Sequence, residues 1–125
     1  MTRSLIIAVL LMLYITACGS VESVNQGDTF EVLTDLRETA TVQMGTATDG
    51  FTKIIPKGTK LKALFSTSPA ASYFECAPVE VNGSSDADDI EVFFVPESML
   101  KSEEYQGFSY SFPIEYIGDK LKRVN

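Results

Sequence analysis

Apolar and polar residues alternate with period two through much of the chain after residue 29. Phe30-Glu31-Val32-Leu33 and Thr39-Ala40-Thr41-Val42-Gln43-Met44 are short, rich in β-branched residues and partly alternating, and they predict strands. Residues 45–50 read as a turn or loop, and 51–55 as a brief strand ended by Pro56. Pro56-Lys57-Gly58-Thr59 predicts a turn, because proline presets φ and glycine permits the reversal. Lys60-Leu61-Lys62-Ala63-Leu64-Phe65 opens with lysines on one face and Leu61 and Ala63 on the other. After a loop at 66–72, residues 73–81 read as a strand bent at Pro78, which has no N–H for a central ladder. Residues 82–89 read as a polar, acidic turn, 90–95 as an apolar strand and 96–100 as one helical turn. Residues 108–112 alternate again, and 114–117 are placed to pair or pack. Helical period is confined to 97–104 and, more weakly, 119–124. Several short strands with turn signals predict a mostly-β fold, a small antiparallel barrel or sandwich.

The N-terminus follows a different pattern. Arg3 precedes thirteen residues, 5–17, that carry no charge, and small residues then lead into Cys18. That order predicts a secretory signal. Thirteen residues in a helix cover roughly 20 Å, short of the ~30 Å hydrocarbon core, so a retained transmembrane helix fits poorly. Ile15-Thr16-Ala17-Cys18 resembles the lipobox of bacterial lipoproteins. The resemblance implies cleavage before Cys18, acylation of that cysteine and anchoring to a membrane on the exported side. Two or more acyl chains hold a protein firmly. Gly19 in place of an inner-membrane-retaining Asp points to the outer membrane, where the source has one. The implied organisation is a signal peptide at 1–17, a lipidated Cys18 with a polar tether at 18–28, and a single β-rich domain at 29–125.

Charge and composition narrow the function classes. Every one of the seventeen acidic residues follows Cys18 while Arg3 is lost, so nine basic residues leave the mature chain at −8. A field of that sign repels phosphate backbones, so no nucleic-acid partner is expected. Histidine is absent. That removes His-based triads, His-ligated zinc and imidazole acid–base catalysis. With Cys18 acylated, Cys76 has no partner for a disulfide, and its alternation with Phe74 places it in the core as a small apolar group.

Residues 40–100 resemble bacterial SH3-like (SH3b) domains. The turn and strand that carry the likeness are Ile55-Pro56-Lys57-Gly58-Thr59-Lys60-Leu61-Lys62-Ala63-Leu64. An aromatic strand (Tyr73-Phe74-Glu75-Cys76), a hairpin glycine (Asn82-Gly83) and a final strand and turn (Phe94-Val95-Pro96-Glu97-Ser98-Met99-Leu100) follow in the family's order. Both of the family's usual tryptophans and its Arg after the first strand are missing, the hairpin carries an acidic insertion, and residues 101–125 lie outside the likeness. The resemblance implies an SH3-like barrel and binding to cell-wall peptide or glycan.

Four clusters are candidates for chemistry. Asp86, Asp88, Asp89 and Glu91 offer carboxylate oxygens, yet their spacing misses the EF-hand pattern, and a solvated turn is the simpler reading. No metal or other cofactor is expected. Lys53, Lys57, Lys60 and Lys62 gather near one turn, and Lys60 and Lys62 share a strand face; they suit either an acidic partner or protection of a sheet edge. Phe108, Tyr110 and Phe112 share one face, either as core or as a stacking row. Tyr73 with Tyr110 is the candidate wet aromatic surface, giving Tyr73, Tyr110, Lys60 and Lys62 as expected ligand contacts. Glu75 and Glu80 fall on opposite faces of their strand, which argues against a shared hydrolytic cleft unless Pro78 introduces a bulge. No catalytic residue is expected.

The sequence thus predicts a non-enzymatic, membrane-anchored binding module for cell-wall material or an envelope protein. The alternative is an inhibitor, immunity or exclusion lipoprotein that blocks one envelope protein.

Overall fold

The computed structural model describes residues 23–124; the signal segment and Cys18 lie outside them. Alternation does what it predicts in most places. β1 (Thr29–Val32), β2 (Leu36–Met44), β4 (Lys60–Ala63) and β5 (Tyr73–Glu80) each bury alternate side chains. β3 (Ala47–Ile55), β6 (Tyr105–Pro113) and β7 (Leu121–Arg123) complete one antiparallel seven-stranded sheet. Its order is β3-β2-β6-β5-β4-β1-β7, open at β3 and β7 rather than closed into a barrel. The mostly-β antiparallel class is therefore as expected, in a sandwich-like form.

Buried residues from all seven strands join one cluster, so the sheet wraps around a single core. Phe30 of β1 and Phe74 of β5 lie two strands apart with ring centroids 5.2 Å from each other. At one corner, Val32 N–H donates to Thr59 O (2.9 Å) and Gly58 N–H to Val32 O (2.8 Å), tying β1 to the turn that follows β3. Gly58 takes φ +90°, and Thr59 N–H closes that turn on Pro56 O (3.2 Å), as the Pro-x-Gly pattern predicts.

Four expectations need correction. Residues 45–50 are not a loop: β2 and β3 meet at a two-residue turn, Gly45-Thr46, with Gly45 at φ +62°. β3 runs on through Asp49 and Gly50 because nine consecutive partners on β2 supply its ladder. Residues 90–95 are not a strand either. Residues 90–94 belong to helix α1 (Ala87–Phe94), which Val95 ends, and its N-cap Asp86 accepts from the N–H groups of Asp88 (2.9 Å) and Asp89 (3.3 Å). Asp88 and Asp89 sit in its first turn, where negative charge favours a helix, and Ile90 and Phe94 bury one helical face. The acidic stretch is thus a helix start rather than only a turn. Residues 121–123 form β7 against β1, not a helix. Finally, residues before β1 are held by the domain: Val24 is fully buried, and its N–H donates to Thr67 Oγ1 (3.1 Å).

Residues 97–100 form the expected helical turn, α2 (Glu97–Leu100), and 114–116 form a 3-10 turn. β5 pairs with β6 only over Tyr73–Cys76. Past that point the two strands part, so Pro78 faces no β6 acceptor and its missing N–H costs nothing. α1 packs beside β5 in the space they leave.

Candidate functional site

The sheet has one face on the core and one open to solvent. Odd-numbered residues of β2 and β6 point outward in matched register, Thr41 beside Ser109 and Gln43 beside Gly107, and Ser111 sits beside Glu75 of β5. Here the strands form the floor of a trough of about 480 Å³. Thr41, Ser109 and Glu75 lie along the floor, Gln43, Thr48 and Gln106 at one side, and Leu64 and Phe65 at the other. Gln43 is held in place: its Nε2 donates to Gly45 O (3.0 Å) and its Oε1 accepts from Thr48 Oγ1 (3.0 Å). Phe65 leaves 60% of its surface in water. Among the described residues the lining therefore offers hydroxyls, amides, one carboxylate, the exposed Phe65 ring and the half-buried Phe108 ring, with no cation.

The residues expected to bind ligand are not assembled into one site. Tyr73 is 62% exposed and shares the outer face with Glu75, but it does not line the trough. Tyr110 corrects the expectation of a wet aromatic pair. It is paired with Cys76 on the core side and has no exposed surface. Its ring lies against Phe94 (6.0 Å), Phe108 (6.0 Å) and Phe112 (5.8 Å), so Tyr110 and Phe112 are core and Phe108 packs half-buried against it. Lys60 and Lys62 do share the outer face of β4, where Lys60 lies 3.8 Å from Glu80. Lys53 stands on β3, separated from them in the sheet, and Lys57 N–H donates to the Asp35 carboxylate (2.8 Å). Glu80 lies beside Lys60 and does not line the trough, and among the described residues Glu75 is the only carboxylate that does.

The acidic group around α1 is spent on structure. Asp86 caps the helix, and Asp89 accepts from Ser84 Oγ (2.9 Å). Among the described residues no group of three or more Cys, Asp or Glu is placed to hold a metal ion. Nor is any described helix long and apolar enough to cross a membrane.

The shifted titrations all lie away from the trough floor. Burial, with help from Glu75, pushes the Cys76 thiol well above its usual range. Burial also raises Tyr110, and the neighbouring Cys76 and Glu38 add to this. Tyr105 is pushed up to about 12 by burial and then by the Glu91 carboxylate beside it. Tyr116 is raised chiefly because its hydroxyl donates to Glu38 Oε1 (3.0 Å).

Phe65, Thr41, Gln43, Gln106 and Ser109 were not singled out by the sequence. Thr41 and Gln43 were signalled by the run Thr39, Thr41, Gln43, polar at every second position, and Ser109 by the alternation of 108–112; Phe65 and Gln106 carried no such signal. Comparison of this chain with family models, curated proteins and solved structures finds no match.

Proposed function

We propose that this chain is a lipid-anchored envelope protein whose β domain holds an uncharged saccharide strand of the cell wall in the outer trough. The trough carries the reading. Hydroxyl and amide groups on a fixed floor match the mixed donors and acceptors of sugar hydroxyls and acetamido groups. The exposed Phe65 ring offers an apolar platform for a pyranose face. With Glu75 as the one charge that the described residues place there, the lining favours the glycan over wall peptides rich in carboxylates, and over phosphate. A single carboxylate without a second across the trough supports binding rather than hydrolysis. The likeness of residues 40–100 to wall-binding SH3-like domains points the same way.

Anchoring rests on the pattern ending at Cys18. A lipid removes translational freedom and raises local concentration, so a shallow trough suffices for binding. Cys18→Ser is expected to release the protein from washed membranes.

Co-sedimentation of the chain from Gly19 onward with purified wall sacculi tests the binding. Saturable pelleting is expected, weakened about tenfold by Phe65→Ala, which is about 1.4 kcal/mol. Tyr73→Ala tests whether the exposed ring beyond the trough extends the site. Absence of pelleting by folded protein would overturn the glycan reading and favour a single envelope protein as the target, as for an inhibitor or exclusion lipoprotein.

A further inference from the structure

Among the described residues the long outer edge of the sheet, β3, is unpaired, and its sequence is self-complementary. β3 spans nine residues, Ala47–Ile55, and pairs with β2 without a break in register. A long, regular, uncovered edge is normally blunted by proline, a bulge, shortness or clustered lysine. The opposite edge follows that rule: β7 has three residues and two of them are Lys122 and Arg123. β3 has no proline and no bulge, and its two charges, Asp49 and Lys53, are of opposite sign. They flank Phe51 symmetrically, on the same face of the strand. Among the described residues neither forms an ion pair within its own chain.

We infer that β3 pairs antiparallel with β3 of a second copy of this chain, with Phe51 opposite Phe51 at the two-fold axis. In that register Asp49 of each copy faces Lys53 of the other, Gly50 faces Thr52 and Thr48 faces Ile54. Directly opposed unlike charges stabilise a strand pair, and like charges oppose it. The neighbouring two-fold registers lack this match. Centring on Gly50 places Asp49 against Phe51 and Lys53 against Ala47, and centring on Thr52 places Lys53 against Phe51 and Asp49 against Ile55. The charges therefore select one register, as a buried face does elsewhere. Ile54 and Phe93, 53% and 38% exposed, line a hollow at this same edge with Arg37 and Thr52, and the second copy would cover it.

The pairing has a consequence for ligand binding. The two-fold axis stands perpendicular to the sheet, so both outer faces point the same way. Three strand spacings separate the two β2 strands, roughly 14 Å, which sets two troughs side by side. A polymeric ligand could engage both and gain from effective concentration. The pairing itself does not depend on what the trough binds.

Sedimentation velocity of the full chain purified in detergent tests it. The wild type is expected to dimerise. Asp49→Lys or Lys53→Asp should each weaken the dimer about tenfold or more, because each change sets like charges opposite each other twice. The double exchange D49K/K53D should restore it. Both positions are on the strand edge, and circular dichroism checks that each variant is folded. As an independent readout, Phe51→Cys should form a disulfide-bridged dimer under mild oxidant while Ala47→Cys should not. A wild-type monomer would overturn the inference. So would a dimer indifferent to the single charge reversals, or one that the double exchange fails to restore.

Discussion

Cys76 and Tyr110 face each other across β5 and β6, and neither has any surface in water. They mark where the two strands are last paired before they part around α1. Among the described residues the tyrosine hydroxyl there has no hydrogen-bond partner. The thiol is surrounded by core and held protonated by burial.

Native Cys76 should therefore resist thiol reagents at pH 8, since both access and thiolate are denied. Labelling is expected only after denaturation. Cys76→Ala should lower stability by about 1–2 kcal/mol through lost packing, with wall binding intact. Rapid native labelling would show that the β5–β6 pair opens.

Tyr110→Phe removes a buried hydroxyl that has no partner among the described residues. Its effect on the urea midpoint should be neutral or stabilising by about 1 kcal/mol, because an unmade hydrogen bond carries a desolvation cost. Tyr110→Ala should cost about 3–5 kcal/mol, since the ring touches three other aromatic rings. A clear loss on Tyr110→Phe would mean that the hydroxyl is hydrogen-bonded in solution.

Asp86 is the cap on which α1 depends. Asp86→Ala should destabilise the domain by about 1 kcal/mol, and Asp86→Asn by less, because an amide oxygen also caps. Denaturant unfolding of both variants measures the difference. Equal losses would assign the effect to charge near the helix start rather than to the cap hydrogen bonds.

Alkaline pH should weaken the fold. Cys76, Tyr105 and Tyr110 all hold their protons more tightly when folded than the ordinary values of 9.0 for the thiol and 10.0 for the phenols. Above those values the unfolded chain releases protons that the folded chain retains. Their contribution is complete below about pH 9 and is lost as pH rises toward 12 and beyond. Urea midpoints from pH 7 to 11 should stay level and then fall. Tyr105→Phe should soften the fall above pH 10.

Val24 tests where the domain begins. It is fully buried, and Arg123 reaches back to the same segment, donating to Ser23 O (2.7 Å) and pairing with Asp28. Val24→Ala should cost about 1–3 kcal/mol in thermal or chemical unfolding. An unchanged midpoint would make residues before 29 a tether alone.

Most strands could be read from the chain because alternation reports one wet and one buried face. Lys60-Leu61-Lys62-Ala63 and Phe108-Ser109-Tyr110-Ser111-Phe112 are of this kind. Where the signal failed, pairing or capping outweighed composition. Asp49-Gly50 resembles a loop, yet nine partners on β2 extend it as strand. Ile90-Glu91-Val92-Phe93-Phe94 is apolar enough for a strand, yet Asp86 starts a helix in which only positions 90 and 94 are buried.

The trough was the hardest feature to foresee. Thr41, Ser109 and Glu75 lie far apart in the chain and come together only through the order β2-β6-β5. Outward polar residues look alike in a single strand, whether their neighbours leave a hollow or not. Tyr110 was misplaced for the related reason that alternation shows which residues share a face, not which face is wet.

By itself the sequence determined the mostly-β class, the Pro-x-Gly turn, the burial of Cys76 and the signal-like N-terminus ending at Cys18. These depend on local conformational preference and on hydrophobic period, which are properties of neighbouring residues. Only the tertiary structure decided the strand order, the helix over the β5–β6 opening, the inward turn of Tyr110 and the outward trough. Those depend on which distant segments share hydrogen bonds and bury one another, and no single stretch of chain encodes that choice.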